Sequence, residues 1–531
     1  MSKVNVATPR ISVRLYKSVM RKAGGPGLPA SQRYANKEAF IDLTPFLGDG
    51  SSVITSKSIT DAGGTFSISF SDKPNQQGQN MGPVLSSAQL ESVAGLIEPM
   101  DVVEIRMWGG LGTCPNPLPI RMRGFVTRVN RRREMGQDGK PRRVVTVSGN
   151  DYTKALTMYQ IVYNPYYDGG GALMTGWSFF EQVGEGAVNN VEGQQLIDMA
   201  LNAPKGSINS LLAKLIPENN GMPRQITADV QAQGKASNAF ANESGTMWDL
   251  LSHYLDVPLF NELFVQSREA GEFLVWRPRP FFDMTTRESI QPILMPDYAV
   301  LPDNMIVSID QNRDDTEVYN WVWATSTAFD LAGDQYRQNQ ALLGADKTPA
   351  INYPNTSIDF YGIRAMYGDT VMDAPDVAYN GSGLTEQSQN ERSGQVNDWI
   401  SDRRRIMQET VKDNVVLETG SILAKGGVER YGKPGELLCA GDYVSVRDGL
   451  IAWDGYVTAI VDTFTPYVSY TQQLNFERGT GFAERVAYQG SPWLLEQATR
   501  QEAGINASAR GREIDPQERK VYDWRGASLK G

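Results

Sequence analysis

The chain has 531 residues, 40% hydrophobic and 21% charged, a composition that suits a soluble globular protein and a length that calls for several cores. A formal net charge of −10 disfavours ordinary nucleic-acid binding, because an acidic surface repels phosphate. With only Cys114, Cys439 and His253 available, a disulfide framework, a cysteine-only zinc site and any metal site needing two imidazoles are excluded.

No run approaches the roughly 18 consecutive apolar residues of a membrane span. The opening MSKVNVATPRISVRLYK also lacks the apolar centre of a signal peptide. Folding in a cytoplasm, free thiols and no stable membrane insertion are therefore expected.

Along the chain, β-strands are predicted at residues 52–60 and 65–71, separated by the turn DAGG, and again at 101–107, 120–130 and 143–148. The dipeptide Asp138-Gly139 marks a hairpin between the last two. Short, evenly spaced strands point to a small antiparallel barrel. The periodicity then changes, and helices are predicted at 191–201, 208–216 and 246–255. Thr246 is placed as N-cap of the third helix with Asp249 three residues on, and Trp248, Leu251 and Leu255 form its buried stripe. A hairpin follows at 261–266 and 272–277 with its turn at Gly271, then a strand at 317–325. Residues 331–392 are rich in Gln, Asn, Gly, Asp and Tyr and read as a long loop region. A helix at 396–412 aligns Val396, Trp399, Ile406 and Met407, and a strand is expected at 414–418.

The β pattern then returns. PMDVVEI (99–105), RGFVTRV (123–129) and VVTVSG (144–149) are matched by AGDYVSV (440–446), DGYVTAI (454–460) and TQQLNF (471–476). The intervals from Gly124 to Gly149 and from Gly455 to Gly479 are nearly equal, and the strand at 414–418 would take the role of 65–71. Order and spacing together indicate a duplicated unit. Three such chains closed into a ring would present six similar units about one axis.

These residues resemble the hub proteins of contractile bacteriophage tails, a family related to the N-terminal hub part of type VI secretion spike proteins. The likeness lies in the Trp248 helix followed by PLFNELF (258–264), the hairpin ending LVWRPRP (274–280), and the Trp399 helix with RRR (403–405) leading to GDYV (441–444). It covers most of residues 50–480, and Met100-Asp101 departs from the Gly-Asp of the later copy. The expected fold class is α+β, β-rich, with two related small antiparallel β-barrel, tail-tube-like domains and a mixed α/β domain between them. The expected organisation is an N-terminal extension (1–49), a first barrel domain (50–158), the mixed domain (159–330), a loop-rich insertion (331–392), helix plus second barrel (393–490) and a C-terminal arm (491–531). The resemblance implies a homotrimer between a sixfold tail tube and a threefold central spike, among other baseplate proteins of the virion. Phage DNA would pass through its channel without specific binding.

Catalytic motifs are scarce. No Gly-x-x-x-x-Gly-Lys-Ser/Thr, His-Glu-x-x-His or Gly-x-Ser-x-Gly occurs, and no cofactor is expected. His253 reads as a structural helix residue, and the acidic run from Asp310 to Glu317 as a solvated turn lacking a calcium loop's spacing. A cell-wall glycan hydrolase is the alternative function, since paired carboxylates assemble in space. The basic cluster of Arg121, Arg123, Arg128, Arg131, Arg132, Arg133, Arg142 and Arg143 is either solvated strand ends or a contact with an acidic neighbouring subunit. Arg131, Arg132 and Arg133, with Trp493 and Trp524 of the C-terminal arm, are the candidate subunit-interface residues.

Overall fold

Alternation decides the first strands. In β4 (Thr65–Ser71), Phe66, Ile68 and Phe70 are buried while the serines between them face outward. The computed structural model describes residues 8–18, 40–71, 93–109, 114–135, 141–162, 191–202, 207–216, 221–232, 235–236, 244–257, 259–279, 297–312, 315–326, 361–370, 372–373, 403–404, 407, 411, 418–448 and 451–478.

The N-terminal strands are β1 (Arg10–Tyr16), β2 (Ile41–Asp42), β3 (Ser52–Ser58), β4, β5 (Val102–Trp108), β6 (Ile120–Met135) and β7 (Pro141–Asp151). Next come α1 (Thr153–Met158), β8 (Gln160–Val162), β9 (Val191–Glu192), α2 (Gly193–Asn202), α3 (Ile208–Leu215), β10 (Ile226–Val230), β11 (Lys235–Ala236), β12 (Ser244–Thr246) and α4 (Met247–Tyr254). The chain continues through β13 (Asn261–Arg268), β14 (Gly271–Pro278), β15 (Tyr298–Pro302), β16 (Ile306–Asn312), β17 (Trp321–Ser326), β18 (Ala365–Thr370) and β19 (Met372–Asp373). It ends with β20 (Glu418–Lys425), β21 (Tyr443–Asp448), β22 (Ile451–Thr465) and β23 (Ser469–Arg478).

A 13-stranded, largely antiparallel sheet dominates, making the protein β-rich with few helices. Its order falls into two matching runs. The first is β3-β4-β7-β6-β5-β1, with β2 beyond it; the second is β16-β20-β23-β22-β21-β15. Pairing of β22 with β3 joins the two. The match fails only at the end, where β1 runs antiparallel to β5 and β15 runs parallel to β21.

Each run curls. Val13 on β1 and Val53 on β3 stand at opposite ends of the first run, yet both belong to one buried cluster with Ile68, Ile105, Val126 and Val147. The second run does likewise, gathering Leu301, Ile422, Val446, Ile460 and Leu474. A third core joins α1–α4 to the three-stranded sheet β10-β14-β13 through Leu156, Ile197, Leu212, Leu251, Leu263 and Trp276. Here α4 has the expected start: the Thr246 side chain accepts from Asp249 N, and Asp249 caps Thr246 N in return. Trp248, Leu251 and Leu255 are buried as expected.

Several expectations need correction. The strand that takes the place of β4 is β20, which begins at Glu418, the last residue of the expected 414–418; residues 414–417 lie outside the described residues. The strand expected at 317–325 starts at Trp321, and its parallel partner β18 comes from the stretch read as loop-rich. Of the acidic run from Asp310 to Glu317, the start belongs to β16 rather than to a turn, since Ile306 and Ile309 pack against the second core and hold that segment in the sheet, whereas residues 315–317 form an exposed turn as expected. Strands β15 and β16 precede the loop-rich region in sequence, yet both complete the second run. Of the helix expected at 396–412, only Arg403, Arg404, Met407 and Val411 are described, all buried; Val396, Trp399 and Ile406 lie outside the described residues, as does the turn at 137–140.

The landmark Gly479 also lies outside the described residues, and register shows it is not the counterpart of Gly149. Val126 pairs with Gly149, and the equivalent Val457 pairs with Phe476. Gly149 in turn faces Phe66, whereas Phe476 faces Gly420. The two runs have exchanged an aromatic and a glycine across one strand pair, which conserves the volume filled.

Candidate functional site

Both runs are built on the same acidic turn. The Asp101 carboxylate accepts from Glu98 N (2.9 Å), and that of Asp442 accepts from Cys439 N (2.8 Å). Val126 N donates to Asp101 O (2.8 Å) while Met100 N donates to Val126 O (2.8 Å). In the second run Val457 N donates to Asp442 O (2.9 Å) and Gly441 N to Val457 O (2.8 Å). Immediately afterwards each long strand breaks register, between Val126 and Arg128 and between Val457 and Ala459, which is a β-bulge at the shared Thr. Aspartate suits this turn because its short carboxylate reaches a backbone N–H three residues back.

The residue before each aspartate is left-handed, with φ +75° at Met100 and +89° at Gly441. Only the second copy has the glycine that this backbone favours. A Cβ at Gly441 would stand 2.5 Å from the Arg277 guanidinium, so glycine is required there twice over. Each buried carboxylate has its own cation: Lys17 bonds Asp101, and Arg430 bonds Asp442 through Nε (2.9 Å) and a terminal nitrogen (3.1 Å). Burial pushes Asp101 up to about 6 despite Lys17, and raises Asp442 despite Arg430.

The joint between the runs is polar at its centre. Asp462 on β22 is 3% exposed and accepts from Arg121 Nε (2.8 Å) and NH2 (2.6 Å) on β6. It also accepts from the hydroxyls of Thr55 on β3 (3.2 Å) and Tyr470 on β23 (2.8 Å), and from Gln472 Nε2 (3.1 Å). The free NH1 of the same guanidinium donates to Leu438 O (3.1 Å). Strands from both runs thus converge on one carboxylate. That fixes their relative position as a shaped arrangement of directional bonds, which apolar contact alone does not supply.

The hairpin β13–β14 clamps both runs from the side. Toward the first, Arg123 bonds Glu104 (2.9 Å) and Glu272 (3.1 Å), and Arg106 bonds Glu104 (2.7 Å) and Glu269 (2.7 Å). Toward the second, Arg277, which is paired with Glu262 of its own hairpin (2.8 Å), donates to Gly441 O (2.7 Å) and the Tyr456 hydroxyl (3.0 Å), and Tyr456 donates in turn to Glu262. Burial works against ionised Glu104, but Arg106 and Arg123 outweigh it and hold its carboxyl below the usual range. Glu272 has the opposite balance. Burial pushes it up to about 7, in spite of Arg123 and Lys57.

That shift has a definite sign. The folded chain keeps a proton on Glu272 over a pH range where the unfolded chain, with an ordinary carboxyl near 4.5, has released it. Its contribution to stability is complete below that ordinary value and is lost as pH rises through about 7. The variant Glu272→Gln keeps the contacts to Arg123 and Ser267 without the ionisation. Relative to the unmodified chain it should gain on the order of 1–3 kcal/mol between about pH 5 and pH 8. Urea titrations at the two pH values measure this, and a constant offset between the chains would contradict it.

Sequence reasoning and geometry differ most over the arginines. Arg121 and Arg123, expected either at solvated strand ends or against an acidic neighbouring subunit, have side chains only 5% and 6% exposed, because both faces of β6 are covered at that point. A sequence signal existed: Glu104 and Arg106 interrupt the otherwise apolar VVEIRMW of β5, where unpaired charges would be very costly. Arg131, Arg132 and Arg133 lie at the far end of β6 and are exposed. Trp493 and Trp524 lie outside the described residues. His253 is exposed in the last turn of α4, with its ring edge-on to Tyr254. Both cysteines are free and half-buried rather than fully enclosed. Among the described residues no group of three His, Cys, Asp or Glu could hold a metal ion, and no helix is long and apolar enough to cross a membrane.

No protein-family model matches the chain, and no curated protein matches it. Among solved structures it is similar to the 43 kDa tail protein of prophage MuSo2 from Shewanella oneidensis, at 12% identity over 90% of this chain and 98% of that one, with a TM-score of 0.43. It is also similar to a tail protein from Neisseria meningitidis, at 12% identity over 90% of this chain and 99% of that one, TM-score 0.44. A third similarity is to an Escherichia coli component of the type VI secretion system, described as resembling the T4 bacteriophage tail proteins gp27 and gp5. There the identity is 9% over 81% of this chain and 73% of that one, TM-score 0.33.

Proposed function

We propose that this chain is a structural subunit of the baseplate hub in a contractile phage tail, located in the virion. One observation carries the reading: a single chain holds two runs of strands with the same order, the same bulge and the same acidic turn. Each run is taken as a small tail-tube-like barrel unit, the first centred on 50–158 and the second on 393–490. Strands β1 and β15–β16 complete them, and the mixed α/β unit lies between. Three copies present six like units, so one face meets a sixfold tube and the other a threefold spike. The work is mechanical, and the ion pairs that hold the first run and the buried hydrogen bonds that hold the second to the β13–β14 hairpin suit a part that must keep its shape under load. The net charge of −10 suits a channel that lets DNA slide past unbound.

In this reading residues 331–392 and the arm at 491–531, with Trp493 and Trp524, serve contacts to other baseplate proteins. The test is the mass of the purified chain in solution together with particle images. A trimeric ring with six lobes is expected. A monomer that cleaves peptidoglycan would overturn the proposal in favour of a tail hydrolase.

A further inference from the structure

The joint made inside the chain implies a second one that a single chain cannot make. At the existing joint, Val461 lies opposite Ser56, Asp462 opposite Thr55, Thr463 opposite Ile54 and Phe464 opposite Val53. By the matching order of the two runs, β22 corresponds to β6 and β3 to β16. The counterpart of β22 against β3 is therefore β6 against β16.

Within one chain these two strands are far apart in the sheet, and among the described residues each has an edge that no strand covers. Among the described residues, strand β16 ends the sheet and pairs with β20 alone. On β22, one edge carries β21 along Ile451–Tyr456 and then β3 from Ala459 to Phe464. On β6 the same edge carries β5 as far as Phe125, and among the described residues no strand continues it. An open edge offers backbone donors and acceptors to another chain. Burial differs between the two places: Val53, Thr55, Asp462 and Phe464 are buried at the existing joint, whereas their counterparts Gln311, Arg131 and Arg133 are exposed and Ile309 is half-buried.

Register can be carried over residue by residue. Arg131 pairs with Val145 as Asp462 pairs with Gln472, so Arg131 stands for Asp462 and Arg132 for Thr463. Thr55 pairs with Phe66 as Gln311 pairs with Gly420, so Gln311 stands for Thr55 and Asp310 for Ile54. The transferred register sets Asn130 opposite Asn312, Arg131 opposite Gln311 and Arg132 opposite Asp310. This register, fixed by the repeat, places an arginine across from an aspartate.

We propose that β6 of one copy pairs antiparallel with β16 of a second copy, extending the sheet head to tail from copy to copy. The pairing stands on the repeat itself; that the series closes after three copies rests on the hub reading. Such a contact is heterologous, with a different patch on each side, as a ring requires.

The test uses the full chain with Cys114→Ser and Cys439→Ser. Adding Arg132→Cys and Asp310→Cys together should give disulfide-linked species of two and three copies under oxidising conditions, because directly opposed cross-strand positions suit disulfide geometry. Either cysteine alone should not give the three-copy species. In the unmodified background, Arg132→Asp should weaken self-association about tenfold, and adding Asp310→Arg should restore it. A trimer without the cross-link or the charge rescue would overturn the edge pairing and leave the hub reading standing. A cross-linked ladder running past three copies would support the pairing and overturn the hub's closure. A chain that stays monomeric at its highest soluble concentration would overturn both.

Discussion

Gly149→Phe alone should unfold the first run of the sheet, and Phe66→Gly added to it should recover about half of the lost stability. A Cβ at Gly149 would stand 2.2 Å from Phe125 O and 2.4 Å from Phe66 Cζ, so any side chain there collides with backbone and ring together. The cost of the single change should exceed roughly 4 kcal/mol. Phe66→Gly alone empties the ring's site and should cost about 3–5 kcal/mol. The double variant copies the arrangement that the second run already uses, Phe476 opposite Gly420, in which the aromatic comes from the other strand. Recovery stays partial because the approach to Phe125 O requires β6 to shift. Urea titration of the four chains yields the coupling energy. Losses that simply add would mean that the two runs do not share an interchangeable core.

The second large effect concerns the joint. Arg121→Met leaves the buried carboxyl of Asp462 without its charged partner, and should cost about 3–5 kcal/mol. The apolar stem of methionine keeps most of the packing, so the loss reports the charge. Adding Asp462→Asn should return a substantial part of it. The neutral amide still accepts from the Tyr470 hydroxyl and no longer needs a cation. Pulse proteolysis gives the magnitudes. An Arg121→Met chain as stable as the unmodified one would show that the neutral donors around Asp462 suffice without the guanidinium.

Much of the architecture was legible because local chemistry and global pattern agree. The α4 capping box, the β13–β14 hairpin with its turn at Gly271, and TFSISFS each carry a signal within a few residues. The repeat was legible through Asp101 and Asp442 and through the Gly-aromatic-Val-Thr bulge, where backbone geometry constrains the residue types. It faded where constraint is shared between strands. No single-strand pattern shows that Phe66 and Gly149 correspond to Gly420 and Phe476, because only the sum of the pair is fixed. Nor could sequence place β16 in the second run, since its neighbour β20 lies more than a hundred residues on. The buried roles of Arg121 and Arg123 were hidden for the same reason: their carboxylates are contributed by distant strands.

The pairing of β22 with β3 also imposes a timetable on synthesis. The first run is complete once β7 has emerged at Asp151, but the strand that covers the outer edge of β3 begins only at Ile451. At about 5–20 residues per second, that edge waits roughly fifteen seconds to a minute. During this interval a folded half-sheet hangs from the ribosome with one side open. The β22 of a neighbouring nascent chain on the same message could fill that side as well as its own.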